Sequence, residues 1–130
     1  MNIKSITFTK DYKMFKAKTK FTFSKDEVSI IAGSGGSGKS TLLQIVKCLS
    51  SSKDNSFKGN AKVEYFKTRP DIDPLILDDA FCILNYYEIG MLFGILKQYV
   101  YKLNMQVIIT VRTPFVDNDK FSNANWIRLH

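Results

Sequence analysis

The 130-residue sequence predicts an α/β fold, a mainly parallel sheet flanked by helices with an antiparallel hairpin at its N-terminal end. Three observations predict it. Val28 to Ala32 is a continuous apolar run rich in β-branched residues, the pattern of a buried parallel strand. A glycine-rich segment follows at once, after which Leu42, Leu43, Ile45, Val46 and Leu49 recur at helical spacing. Short apolar runs at Leu75–Leu77 and Gln106–Thr110 then bracket a helical pattern from Tyr86 to Leu103. The length predicts one domain over 1–130.

In chain order, Ile3 to Thr9 and Ala17 to Phe23 read as extended segments, because Ile6 and Phe8, and again Phe21 and Phe23, alternate with polar neighbours. KDYKMF between them reads as a turn. Ser50 to Asn60 lacks an apolar pattern and reads as a loop, and Ala61 to Lys67 as a further strand. Arg69, Pro70 and Pro74 mark a bend before the strand Leu75–Leu77, which ends in Asp78-Asp79. Within Tyr86–Leu103, Ile89, Leu92, Phe93, Leu96, Val100 and Leu103 share one face. Met91, Ile95, Tyr99 and Tyr101 widen its apolar surface, which suits a helix covering the sheet or a face that meets a partner. Asn104 ends that helix, and Ala124 to Leu129 closes the chain as a last strand.

Chemistry concentrates at Gly33-Ser34-Gly35-Gly36-Ser37-Gly38-Lys39-Ser40, which matches G-x-x-x-x-G-K-[ST], the phosphate-binding loop of nucleoside triphosphatases. Phosphate oxygens need many donors close together, so the backbone must curl with its N–H groups inward, and glycine tolerates the dihedrals this demands. The following helix aims its N-terminal amides and positive dipole end at the same anion. In this reading Gly33, Ser34, Gly35, Gly36, Ser37, Gly38, Lys39, Ser40 and Thr41 hold the nucleotide. Lys39 bridges the terminal phosphates, and the Ser40 hydroxyl completes a Mg²⁺ shell. A glycine-rich turn without a ligand is the alternative. Leu75–Leu77 is read as a short buried, central strand adjacent to Val28–Ala32. An Asp at the end of such a strand beside the loop can support Mg²⁺, and a neighbouring carboxylate can orient or deprotonate water.

From MNIKSITFTKDYKMFKAKTKFTFSKDEVSIIAGSGGSGKSTLL the chain resembles the opening of ABC-type ATPase heads, closest in style to the RecF/SMC branch of DNA repair and chromosome maintenance. The resemblance implies ATP and Mg²⁺ as ligands. It implies that Asp78 is the magnesium carboxylate and that Asp79 is the catalytic one, working with Lys39. It offers Tyr12, Phe15 and Lys16 as residues near the base, the alternative being an exposed turn with one aromatic packed inward. Asn85 stands where that branch usually carries Asp. At Val111-Arg112 the histidine of ABC-type heads is missing, and Arg112 is either a γ-phosphate contact or a surface residue. Only 34 residues lie between Ser40 and Leu75, with no Ser-Gly-Gly signature and no arm among them. The resemblance therefore covers both ends of the chain and lacks the middle. A homodimer or a partner chain supplying that signature follows, and slow hydrolysis, or a nucleotide-dependent switch that scarcely hydrolyses, are both open. A small P-loop kinase is a different class of answer. It would need a lid bearing several arginines, and Arg69, Arg112 and Arg128 are scattered.

The net charge of +7 is uneven: residues 1–69 carry 14 Lys/Arg against 5 Asp/Glu. That half is either a nucleic-acid footprint, with DNA as the partner, or a solvated lysine-rich face. No secretory leader is read in Met1–Lys10 and no run of 18 apolar residues suggests a membrane span. Cys48 and Cys82 both fall in apolar patterns and read as buried thiols, which together make the expected location cytoplasmic.

Overall fold

A computed structural model describes residues 2–51, 59–67, 73–112 and 123–129. The fold is mixed α/β, with a four-stranded parallel sheet flanked by helices and a separate three-stranded antiparallel sheet. In chain order the elements are β1 (Ile3–Phe8), β2 (Lys20–Thr22), β3 (Ser29–Gly33), α1 (Lys39–Ser50), β4 (Ala61–Tyr65), β5 (Leu75–Leu77), α2 (Tyr86–Leu103), β6 (Val107–Arg112) and β7 (Asn125–Arg128).

The predicted hairpin is present, with Ile6 opposite Phe21, although β2 is much shorter than the extended segment expected from Ala17 to Phe23. β4 does not enter the parallel sheet. It pairs antiparallel with the other edge of β1, Ile6 opposite Val63, and gives the order β2-β1-β4. In the parallel sheet the order is β5-β6-β3-β7. Two expectations about Leu75–Leu77 fail here. β5 is an edge strand among the described residues rather than a central one, and β6 separates it from β3. Its side chains are accordingly only half-buried.

Two apolar cores follow from strand alternation. Ile31, Ile108 and Ile127 point to one face and meet α1, whose Leu42, Leu43, Ile45, Val46 and Leu49 are all buried, together with Ile6, Phe8 and Phe21 of the antiparallel sheet. These positions form one wide apolar face, and Ser40, Gln44 and Lys47 on the other side are exposed. α1 is sandwiched between the two sheets. Ile30, Ala32, Val107, Ile109 and Val111 point to the opposite face, where Ile89, Phe93, Leu96 and Val100 of α2 cover them.

Gln106, 1% exposed, ties the two sheets together. Its side chain accepts from the Ile3 N–H at 2.9 Å and donates to the Ile3 carbonyl at 2.6 Å. α2 begins at a capping box: Asn85 accepts from the Glu88 N–H at 2.8 Å, and Glu88 accepts from the Asn85 N–H at 3.1 Å. Asn104 ends the helix at φ 52°. Leu103 is exposed rather than part of the buried face, because the helix is already leaving the sheet at its last turn. Both cysteine expectations also fail, Cys48 being half-buried and Cys82 exposed, with neither in a disulfide. In the turn after β5 it is Phe81 that points inward, leaving Cys82 outside. Among the described residues no helix is long and apolar enough to cross a membrane. Arg69, Pro70, His130 and most of the loop expected over Ser50–Asn60 lie outside the described residues.

Candidate functional site

At the C-terminal end of β3 the chain leaves the sheet at Gly33, and packing forbids a side chain there. A Cβ on Gly33 would collide with the Ser37 Oγ and come within 3.0 Å of the Leu129 carbonyl. A tight turn follows, in which the Ser37 N–H donates to the Ser34 carbonyl at 3.2 Å. Gly38, at φ 103°, then caps α1. A Cβ there would stand 3.1 Å from both Met14 and Phe15, so the tip of the N-terminal hairpin rests on this glycine. The first bond of α1 runs from the Leu42 N–H to the Gly38 carbonyl at 2.9 Å. The amides of Lys39, Ser40 and Thr41 precede it and have no helical acceptor. No acidic residue occupies the first turn and no side chain caps it, so its positive dipole end is left uncompensated.

Lys39 turns back over this loop. Its Nζ donates to the Gly33 carbonyl and, at 3.1 Å, to the Ser34 carbonyl. The ammonium is thereby held at the loop mouth.

The carboxylates arrive from β5. Strand alternation puts Ile76 with Ile108 on the α1 face, and Asp78 continues that face. Thr110, fully buried on the neighbouring β6, fixes the pair. Its hydroxyl donates to Asp78 Oδ1 at 2.6 Å and accepts from the Asp79 N–H at 2.6 Å. The Ala80 N–H donates to the Thr110 carbonyl at 3.0 Å. Asp79 sits at φ 48°, a left-handed conformation that Asp tolerates better than most residues. Its Oδ2 pairs with Arg112 at 3.3 Å, while its Oδ1 is buried without a hydrogen-bond partner.

These groups share one cavity of about 340 Å³, lined by Ser34, Gly35, Gly36, Gly38, Lys39, Ser40 and Thr41 from the loop and α1, by Asp78, Asp79 and Arg112 opposite them, and by Met14 from the hairpin. Ten of the residues singled out from sequence, Arg112 among them, therefore converge on one place. Gly33 and Ser37 do not line it: Gly33 is packed behind the turn, and Ser37 borders a second cavity with Lys16 and Arg128. Phe15 is 5% exposed and stacks on Phe8 at 5.1 Å, so it belongs to the core and not to a ligand surface. Tyr12 borders a third cavity of about 280 Å³, which continues from Ser40 and Thr41 along Gln44 and Cys48.

Sequence reasoning missed Thr110, Met14 and the capping role of Asn85. Asn85-x-x-Glu88 is a readable capping signal. Nothing in the local pattern QVIIT singles out Thr110, whose role depends on two strands pairing. Compared with known proteins, the chain matches no family model and no curated protein.

Proposed function

We propose that this chain binds Mg-ATP in the 340 Å³ cavity and hydrolyses it slowly, as a reduced relative in style of ABC-type heads of the RecF/SMC branch. One observation carries the reading. A glycine-rich turn, an open helix N-terminus, a lysine and two carboxylates from a different strand meet at the C-terminal edge of a parallel sheet, where ligands of open α/β sheets bind.

The donor set fits the ligands. Backbone amides from Ser34 to Thr41 and the Lys39 ammonium would take phosphate oxygens, Lys39 exchanging its loop carbonyls for them. Ser40 and Asp78 are both exposed to the cavity and offer hard oxygen donors, and Mg²⁺ needs only one or two carboxylates besides phosphates and water. When bound, Mg²⁺ would neutralise phosphate charge and hold the phosphates in one orientation. Thr110 holds Asp78 toward that position. Asp79, with one buried oxygen unpaired, would orient or deprotonate the attacking water. Arg112 is 66% exposed, and such a pair is worth only about 0–1 kcal/mol, so a phosphate can compete with Asp79 for the guanidinium. Without an opposing cap, charge developing in the transition state is poorly stabilised, and turnover is slow.

Equilibrium binding of a fluorescent ATP analogue with Mg²⁺, followed by steady-state phosphate release, tests this. Lys39→Ala is expected to abolish binding, and Asp79→Asn to leave binding intact while stopping release. If the parent fails to bind Mg-ATP at millimolar levels, the reading is wrong; if Asp79→Asn turns over at the parent rate, the base is misassigned.

A second reading concerns DNA, and sheet register favours it. Lys20 and Lys62 flank Thr7 from either side on the outer surface of the antiparallel sheet, so positive charge from its two edge strands is gathered on one face. ATPase stimulation by DNA that fades with salt would support a phosphate-contacting surface, and no response would favour a switch or protein-partner module.

A further inference from the structure

α2 turns Ile89, Phe93, Leu96 and Val100 to the parallel sheet and leaves a second apolar row in solvent. Tyr87, Met91, Ile95, Tyr99 and Leu103 follow one another at four-residue intervals, and all are exposed, Tyr87 by 73% and Ile95 by 48%. Each step of four advances about 40° around a helix, so Met91, Ile95 and Tyr99 form the crest of a ridge, with Tyr87 and Leu103 about 80° to either side of Ile95 at its two ends. A contiguous apolar surface of this kind marks an interaction site.

The charges beside the ridge identify what covers it. Glu88 stands seven residues before Ile95 and Lys102 seven after it, and both are exposed. Seven residues is close to two turns, so the three share one strip. A second α2 laid antiparallel with the two Ile95 side chains in register brings Glu88 opposite Lys102 at both ends. The same register sets Met91 opposite Tyr99 on both sides. A parallel arrangement would instead oppose Glu88 to Glu88 and Lys102 to Lys102, and would align the helix dipoles unfavourably. The ridge is complementary to itself, which an isologous two-fold contact requires.

We propose that a second copy of this chain docks on the ridge, α2 against α2, antiparallel and centred on Ile95. The inference does not depend on what the cavity binds. A single helix strip is smaller than the roughly 800 Å² per partner of a standard interface. The expected dissociation constant is therefore on the order of 10 μM.

Sedimentation velocity on the full chain from about 1 to 500 μM tests it, with far-UV circular dichroism to show that each variant keeps its helices. A monomer–dimer equilibrium that Mg-ATP does not change is expected. Ile95→Glu, at an exposed position, should remove the dimer. Lys102→Glu and Glu88→Lys should each weaken it about five- to tenfold, since either change sets like charges at both ends. An equimolar mixture of those two variants should regain the parent affinity, because every facing pair is again opposite in sign. Should Glu88→Lys disturb the cap of α2, Lys102→Glu mixed with parent replaces it: the mixed dimer keeps one opposite pair and sets one like pair, so its affinity should fall between those of the two homodimers. A chain that stays monomeric over the whole range, a dimer indifferent to Ile95→Glu, or a mixture that restores nothing would overturn the proposal.

Discussion

Thr110→Val removes one hydroxyl from the centre of the candidate site at almost constant volume. The side chain is fully buried, and its oxygen both receives the Asp79 N–H and donates to Asp78, each at 2.6 Å. Asp78 is exposed, so water replaces its lost partner and little of the roughly 1.5–3 kcal/mol of a charged hydrogen bond is forfeited. The Asp79 amide is different. It lies partly buried on a residue already in a left-handed conformation, and leaving it unpaired costs about 1–3 kcal/mol. Together the two effects predict a loss of about 2 kcal/mol in urea unfolding, with an unchanged m value. Asp78 also loses the bond that aims it, so, under the proposed Mg-ATP function, the Mg²⁺ dependence of nucleotide binding should weaken about 10–100-fold. Thr110→Ser keeps the hydroxyl and loses only a methyl group. It should cost about 1 kcal/mol while preserving the Mg²⁺ dependence. Refutation is plain: Thr110→Val within 0.5 kcal/mol of the parent, or Thr110→Ser as damaging to Mg²⁺ dependence as valine, would mean that the hydroxyl does not position the carboxylates.

Three further predictions concern the scaffold. Gln106→Leu strips partners from the buried N–H and carbonyl of Ile3, and chemical denaturation should show a loss of about 2–4 kcal/mol. Gly38→Ala must adopt φ 103° and push against Met14 and Phe15, so thermal melts should record a loss of about 1–3 kcal/mol even without ligand. Burial raises the Tyr65 phenol above its ordinary 10.0, and its O–H donates to the Leu49 carbonyl at 2.9 Å. Below pH 10 that contribution is fully present, and above it the unfolded chain ionises first, so stability falls as pH climbs toward the folded value. Tyr65→Phe should cost about 1 kcal/mol at neutral pH and show a shallower decline than the parent above pH 10.

How much of this was legible in the linear chain differs from element to element, for physical reasons. Helices announce themselves locally: Tyr86–Leu103 is bounded by Asn85 and Asn104, and its 3.6-residue apolar rhythm is visible without knowing what it covers. Short apolar strands were visible too, but their partners were not, because pairing is a long-range choice that the period-two pattern leaves open. That is why β4 could be recognised as a strand and yet not assigned to the antiparallel sheet, and why β5 was expected next to β3 when β6 lies between them. Phe15 illustrates the same gap for side chains. The resemblance offered it as a ligand contact and the local pattern left an inward-packed aromatic equally open, whereas its stacking on Phe8 was decided by how the hairpin folds over the core.

The sequence alone determined the glycine-rich turn, the helix after it and the presence of two adjacent carboxylates at a strand end. Each depends on neighbours within a few residues, where dihedral limits and hydrogen-bond geometry leave few solutions. Only the tertiary structure decided that Lys39 and Asp78 face one cavity, that Thr110 holds the carboxylates from the intervening strand, and that the outer row of α2 is left open to water. Those outcomes depend on which strands become neighbours and which helix face the sheet consumes, and burial settles both through contacts between residues far apart in the chain.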